Sequence, residues 1–231
     1  MLFSLIRSGA SAREIIIQLL LTLPIIIMSL TLHECAHGWA AMKCGDNTAR
    51  NLGRLTINPL QHLDPIGFTC MLLFGIGWAK PVPINTRNFK NPRRGTALTA
   101  AAGPLANLTV AFAVALIQVI FETVAGVDAI TDTIWMYVLW LFLYLTVEMN
   151  VYLAVFNLLP VPPFDGSRIF FIFMPVKWYF KIMKYERYIQ MALLLLLWLD
   201  PLGLISGLLS LITNLFLTLI YGIISLVPFL G

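Results

Sequence analysis

Apolar residues gather into long stretches that short polar segments separate, and the length of each stretch predicts a helix. The stretches 15–42, 96–122 and 134–159 are all longer than the about 20 residues that an α-helix needs to cross a membrane. Three membrane crossings are therefore expected in the first two thirds of the chain.

Two further apolar regions do not fit a single crossing. Residues 66–78 are too short to span and contain three glycines, so we expect a re-entrant or short β-hairpin element there, associated with the membrane. The region 188–230 is interrupted at Asp200-Pro201 and at Gly203, which predicts two helices. The pattern as a whole predicts an all-α polytopic membrane protein with additional C-terminal helices.

Composition and charge agree with this class. Hydrophobic residues make up 59% of the 231 residues and charged residues only 11%, which excludes an ordinary soluble domain. The net charge of +4 arises from basic clusters between apolar stretches, so no nucleic-acid partner is expected. The three cysteines follow no pairing motif, and a cleaved signal peptide is not expected because the first apolar stretch is long enough to span.

The distribution of Lys and Arg predicts the orientation in the membrane. Eight of the 15 basic residues lie between the first and second crossings and five follow the third, whereas the loop 123–133 has two aspartates and no basic residue. The positive-inside rule therefore places 43–95 and 160–187 in the cytoplasm and 123–133 outside. We expect a multi-pass protein of the cell membrane.

One motif within the first crossing carries most of the chemistry. In His33-Glu34-Cys35-Ala36-His37, the histidines lie four residues apart, so a helix presents both imidazoles to one cation. Glu34 lies beside them, where a carboxylate can accept a proton from water at a zinc site. This pattern is typical of a metalloprotease. The alternative, polar residues that only bond a neighbouring helix, is disfavoured by the cost of burying such groups in a membrane.

Catalytic zinc usually has three protein ligands, so a third is required. Asp165 follows the third crossing after a run of prolines and before Gly166, a sequence that can turn a carboxylate back toward the helices. His62, in the preceding cytoplasmic segment, is the alternative ligand. We expect one Zn²⁺ per chain, with its site toward the cytoplasmic side.

These motifs, in this order, resemble the site-2 protease family of intramembrane zinc metalloproteases. The resemblance runs from about residue 30 to residue 168 and is carried by His33-Glu34-Cys35-Ala36-His37, Asn58-Pro59-Leu60-Gln61-His62-Leu63-Asp64-Pro65, Gly77-Trp78-Ala79-Lys80-Pro81-Val82-Pro83, Ala102-Gly103-Pro104-Leu105-Ala106-Asn107 and Asn157-Leu158-Leu159-Pro160-Val161-Pro162-Pro163-Phe164-Asp165-Gly166. It implies a three-helix protease core within a single membrane-embedded peptidase domain, residues 1–231. The catalytic core would cover about 13–168 and the C-terminal helices about 188–230.

The resemblance also implies a role for each matching residue. The implied zinc ligands are His33, His37 and Asp165, and Glu34 is the implied general base. Asn157 is implied to hold the substrate backbone, and Asn107 to lie near the site and contribute to substrate binding. Ser167 stands where many members have glycine, and we expect neither a PDZ insertion in the 123–133 loop nor a nucleotide-sensing domain after the core.

The implied substrate is the transmembrane segment of a single-pass protein, cleaved in regulated intramembrane proteolysis within membrane lipid. Such a helix must unwind before cleavage, and the segment from Trp78 to Asn85 can act as a template for the extended form. Pro81 and Pro83 remove donors from one edge of this segment, whereas Val82 and Ile84 keep theirs on the other edge.

Two other functions are compatible with a polytopic metal-binding chain. A membrane metal-ion transporter would use the histidines as a transit site, but transporters usually show repeated halves, and none is visible here. An inactive scaffold relative is the second alternative, although every expected ligand and the base are present. Glu148, within the third crossing, is interpreted as a hydrogen-bonded partner between helices.

Overall fold

A computed structural model describes residues 2–7, 9, 11–74, 77–199 and 203–227, which form helices joined by short connections and contain no β-strand. The helices of these residues are α1 (Leu2–Arg7), α2 (Ala12–Cys44), α3 (Thr48–Asn51), α4 (Pro65–Phe74), α5 (Pro92–Ala125), α6 (Val127–Asp132), α7 (Ile134–Asn157), α8 (Asp165–Phe170), α9 (Val176–Met183), α10 (Glu186–Leu199) and α11 (Leu204–Ile224). Single 3₁₀ turns occur at Pro59–Gln61, Thr86–Asn88 and Phe171–Phe173.

Four helices, α2, α5, α7 and α11, are long and apolar enough to cross a membrane. The all-α polytopic prediction is thus confirmed. Local sequence sets the ends of α2, because Ser11 and Glu14 form a capping box at its start and Gly45, with φ 114°, ends it in the left-handed conformation. Helix α5 begins after Asn91, whose side chain accepts a bond from the Arg94 amide.

Helix α5 is the centre of the bundle, with extensive contacts to both α2 and α7, and α11 packs against α7 and also contacts α5. Small residues of α5 allow this close approach, because alanines face the branched side chains of α7 and α11. The buried cluster comprises Ala111, Ala115, Val147, Val151, Val155, Leu209, Ile220 and Ile224.

The re-entrant prediction for 66–78 corresponds to α4, whose 10 residues are too short to cross. The β-hairpin is not confirmed, since pairing among the described residues is limited to one antiparallel bridge between Leu63 and Ala79. The Lys80 amide also donates to the His62 carbonyl over 2.8 Å. Because a Cβ at Gly67 would collide with the Trp78 carbonyl oxygen, a glycine is required where the two segments meet.

The C-terminal region contains two helices, α10 and α11, as the interrupted apolar pattern predicted. Gly203 precedes α11 with φ 62°, the left-handed conformation that favours glycine. The predicted break at Asp200-Pro201 lies outside the described residues.

Candidate metal centre

Helix α2 brings two imidazoles together near its C-terminal end. His33 and His37 are one turn apart, and their Nε2 atoms lie 3.0 Å from each other. Both residues are buried, with 4% and 6% of their surfaces exposed. This geometry is the one that the four-residue spacing predicted.

Asp165, which is 132 positions from His33 in the sequence, completes the group. It is the first residue of α8, and its Oδ2 lies 3.1 Å from His33 Nε2 and 3.2 Å from His37 Nε2. The following Gly166 packs so closely on the end of α7 that a Cβ would collide with the Leu158 carbonyl oxygen. A tight turn against α7 therefore directs the carboxylate to the histidines, although Ser167 stands where a second glycine was expected.

The three donor atoms fit a single zinc ion. Their separations of 3.0 to 3.2 Å are close to the about 3.3 Å expected between ligands of a tetrahedral Zn²⁺ with bonds of about 2.0–2.1 Å. Two imidazole nitrogens and one carboxylate oxygen are also a donor set typical of catalytic zinc. Within the described residues, His33, His37 and Asp165 are the group of donors able to hold a metal ion.

The other nitrogen of each imidazole is fixed by a partner on α5. His37 Nδ1 lies 2.7 Å from the Thr99 carbonyl oxygen, and His33 Nδ1 lies 2.6 Å from Asn107 Oδ1. Because these oxygens accept, each Nδ1 carries the proton and each Nε2 directs its lone pair toward the shared site. Asn107 is fully buried behind His33, so its contact is with the ligand ring.

A second layer of amides supports Asn107. Its Nδ2 donates to Asn150 Oδ1 over 2.9 Å, and Asn150 Nδ2 donates to Ser29 Oγ over 2.9 Å. These hydrogen bonds join α2, α5 and α7 within the apolar bundle. The roles of Asn150 and Ser29 were not predicted from the sequence. An amide side chain within a membrane helix could have indicated such a role, because polar groups there face partners inside the bundle.

Glu34 faces a cavity next to the donor group. Its Oε2 accepts a 2.8 Å hydrogen bond from the Val82 amide, so this amide is occupied in the structure. The cavity has a volume of about 180 Å³. Its walls contain the donor group together with Glu34, Val82, Ile84 and Asn157. Of the residues expected to bind substrate, Val82, Ile84 and Asn157 therefore line the cavity, and Asn107 does not.

Residues 80–88, which we call the strap, close one side of this cavity and are fixed at both ends. Arg54 Nη2 donates to the Lys80 and Pro81 carbonyls over 2.9 and 3.2 Å. At the other end, Asp46 Oδ2 accepts from the Asn85 amide over 2.7 Å. Neither anchor was predicted from the sequence.

Two carboxyl groups near the site have lowered pKa values. Burial alone would raise the pKa of Asp165, but the hydrogen bonds and charges of His33 and His37 outweigh it and hold the pKa well below the usual range. Burial opposes the shift at Asp46 as well, where hydrogen bonds from Thr48, Asn85 and Asn88 lower the pKa. Both carboxyl groups are therefore ionised at neutral pH.

Two other expectations have different outcomes. His62, the alternative ligand, is buried with its Nε2 2.8 Å from the Thr56 carbonyl oxygen and does not belong to the donor group. Glu148 has no hydrogen-bond partner among the described residues. The intramembrane carboxylate that does bridge helices is Glu122, whose Oε1 accepts from Trp140 Nε1 of α7 and from Gln118 Nε2.

Comparisons with known proteins agree with this geometry. The model of Peptidase family M50 matches residues 21–199. A Bacillus subtilis protein named "Putative zinc metalloprotease YwhC" is 40% identical over 183 residues, which is 77% of this chain and 80% of the relative. A Mycobacterium tuberculosis protein named "Putative zinc metalloprotease Rip2" is 32% identical over 148 residues, which is 61% of this chain and 52% of the relative. No solved structure matches the chain.

Proposed function

Because the chain belongs to Peptidase family M50 and is thus a membrane metalloprotease that uses zinc, we propose that it is an intramembrane endopeptidase. Its proposed substrates are single-pass membrane proteins, cleaved within or near their transmembrane segments in regulated intramembrane proteolysis. The observation that supports this most is the cavity shared by the donor group, Glu34 and the strap.

His33, His37 and Asp165 are the proposed zinc ligands. When bound there, Zn²⁺ supplies Lewis acidity to the scissile carbonyl and to the attacking water. The contacts of His33 Nδ1 and His37 Nδ1 on α5 keep both rings in the orientation that metal binding requires. The depressed pKa of Asp165 keeps its carboxylate ionised for the same purpose.

Glu34 is the proposed general base. The Val82 amide holds Oε2, which leaves Oε1 able to accept a proton from the attacking water. The same carboxyl group can then deliver the proton to the amide nitrogen that leaves, because base and acid roles alternate during peptide hydrolysis.

The substrate must present an unwound backbone, because a helix keeps its carbonyls in internal hydrogen bonds. Asn157 lines the cavity and uses Nδ2 to bond the Leu153 carbonyl over 2.9 Å, so its Oδ1 can accept a substrate N–H. The Ile84 amide has no hydrogen-bond partner among the described residues and can donate to a substrate carbonyl. Together they offer one acceptor and one donor to an extended chain.

We place the protein in the cell membrane with its active site toward the cytoplasm. The basic segments 43–95 and 160–187 flank the ends of α2 and α7 that carry the site, and the loop 123–133 at the opposite ends has no basic residue. The positive-inside rule supports this orientation.

The test is proteolysis by purified protein in liposomes that contain a single-pass test substrate, with cleavage sites identified by mass spectrometry. Glu34→Gln should keep its zinc and lose activity by at least about 10²-fold, the usual contribution of a general base. Thr109→Val is the control, because Thr109 is exposed on α5 and bonds only the Leu105 carbonyl. Cleavage by Glu34→Gln at the rate of the control would contradict the assignment, and zinc flux into the liposomes would favour a transporter.

A further inference from the structure

Asp46 is a buried carboxylate outside the donor group, and most of its partners are remote in sequence. It follows the C-cap of α2 and is fully buried. Its oxygens accept from the Thr48 amide and hydroxyl, from the Asn85 amide over 2.7 Å and from Asn88 Nδ2 over 2.8 Å. An aspartate that served only its own turn would bond the amide two residues on, so the two bonds to the strap need another explanation.

The strap is attached at two points three residues apart, one on α2 and one directly after its C-cap. The Val82 amide donates to Glu34 Oε2 over 2.8 Å, and the Asn85 amide donates to Asp46 Oδ2 over 2.7 Å. Glu34 and Asp46 are separated by about three helical turns. Because Glu34 lies on α2 and Asp46 lies directly after its C-cap, the strap cannot slide along α2 without breaking one of these bonds. Ile84, which lines the cavity, lies between the two points.

We propose that Asp46 is a positioning residue that holds the strap in register with Glu34 and, through the strap, sets how the substrate backbone lies in the cavity. The inference rests on the proposed function and assigns a determinant of substrate binding to a residue that touches neither metal nor substrate. Its bonds are charge-assisted and its own side chain is inaccessible to solvent, which makes the bonds strong and directional. The lowered pKa of Asp46 agrees with this role, because only the ionised carboxylate accepts from all four donors.

The experiment compares Asp46→Asn, Asn88→Ala and the matched control Asn47→Ala. Asn47 is adjacent to Asp46 and exposed, and its side chain makes no capping bond. Asparagine at 46 keeps the size of the side chain but turns an NH₂ group toward a donor of the strap. Asn88 is exposed, so its removal deletes one bond to Asp46 while leaving the buried carboxylate in place. It therefore provides a second variant if Asp46→Asn folds poorly.

Full-length protein in liposomes is assayed for KM, kcat and zinc content, and the amide hydrogen exchange of residues 81–88 is followed. We expect KM to rise by about tenfold or more in Asp46→Asn, the size of one charge-assisted hydrogen bond, and by about threefold in Asn88→Ala. Zinc content should stay at the level of wild type, and exchange should accelerate in 81–88 but not in α5 or α7. In an Asp46→Asn background, Asn88→Ala should add nothing further, since their effects share one contact.

Weaker binding of a substrate peptide should also be seen when Glu34→Gln, which retains an acceptor for the Val82 amide, is combined with Asp46→Asn. Unchanged hydrogen exchange in 81–88, together with a wild-type KM in both Asp46→Asn and Asn88→Ala, would overturn the inference. So would a loss of activity explained entirely by lost zinc. Wild-type protein without peptidase activity would contradict the proposed function instead, and the exchange data would still decide the role of Asp46.

Discussion

Gly103 lies on α5 directly against the two imidazoles, and its replacement by alanine is the sharpest test of the metal centre. A Cβ at this position would stand 2.6 Å from His33 Cε1, from His33 Nε2 and from His37 Cε1. Ordinary contacts between such atoms begin near about 3.5 Å, so the shortfall is about 1 Å. Helix α5 cannot yield easily, because it is packed between α2 and α7.

The rings would therefore move by up to about 1 Å, and a displacement of this size can lower the catalytic rate of a preorganised site by about 10²-fold. Their Nδ1 contacts to Asn107 and to the Thr99 carbonyl would be strained at the same time, and loss of such supporting bonds costs about 10- to 100-fold in metal affinity. We expect Gly103→Ala to lower zinc affinity by at least about 10²-fold. Its helix should remain stable, because alanine is favoured over glycine by about 0.5–1 kcal/mol inside a helix.

The assay is zinc content after dialysis against graded concentrations of a chelator, read beside the melting temperature in detergent. Gly207→Ala is the matched control, since a Cβ there meets nothing within 4 Å on α11. Gly207→Ala should melt at or slightly above the temperature of wild type and keep its zinc. Gly103→Ala should lose zinc and melt no higher than wild type, because the clash with the two rings offsets the gain in helix propensity. A Gly103→Ala protein with the zinc affinity and activity of wild type would refute the placement of α5 against the imidazoles.

Three further predictions concern single side chains. Asp165→Asn should bind zinc more weakly, because a neutral amide replaces the ionised ligand, and metal analysis of the purified variant would contradict this if the zinc content were unchanged. Asn107→Leu should lower zinc affinity by about 10- to 100-fold by removing the acceptor of His33 Nδ1, as measured by chelator competition. For Asp46, the folded-state pKa is lowered from 3.8, so its contribution to stability is present above that value and is lost as the pH falls through the folded-state pKa. The difference in melting temperature between wild type and Asp46→Asn should therefore shrink below about pH 4, and a difference that stays constant would show that the carboxylate does not act through its charge.

The sequence was sufficient for the features that depend on local spacing. The lengths of apolar stretches predicted the crossings, Gly203 marked the start of α11, and four-residue spacing paired His33 with His37. The β-hairpin considered for 66–78 was not confirmed, and Pro65–Phe74 form the helix α4 instead. The separate reasoning on the template over 78–85 counted backbone donors but not their partners. The Val82 amide is paired with the Glu34 side chain, and no strand forms there among the described residues.

Contacts between distant residues could not be predicted in the same way. Ser29 and Asn150 are 121 positions apart, and Asp46 and Asn88 are 42 apart. The partner of His37 Nδ1 is a backbone carbonyl, that of Thr99, which no side-chain pattern can indicate. Such contacts follow from the packing of α2, α5 and α7 and become visible only when that packing is known.

The supports of the site differ in kind, and this difference indicates where motion is to be expected. His33 and His37 are held by rigid helices, through a carbonyl and a network of amides that is shielded from water. Glu34 is instead held by the strap, a segment without regular structure between Pro81 and Asn85. The strap forms one wall of the cavity, so a shift of the strap changes how a substrate backbone lies there, and the metal ligands need not move for this to happen. Substrate binding is therefore expected to depend on the anchors of the strap, and zinc binding on the contacts of α5.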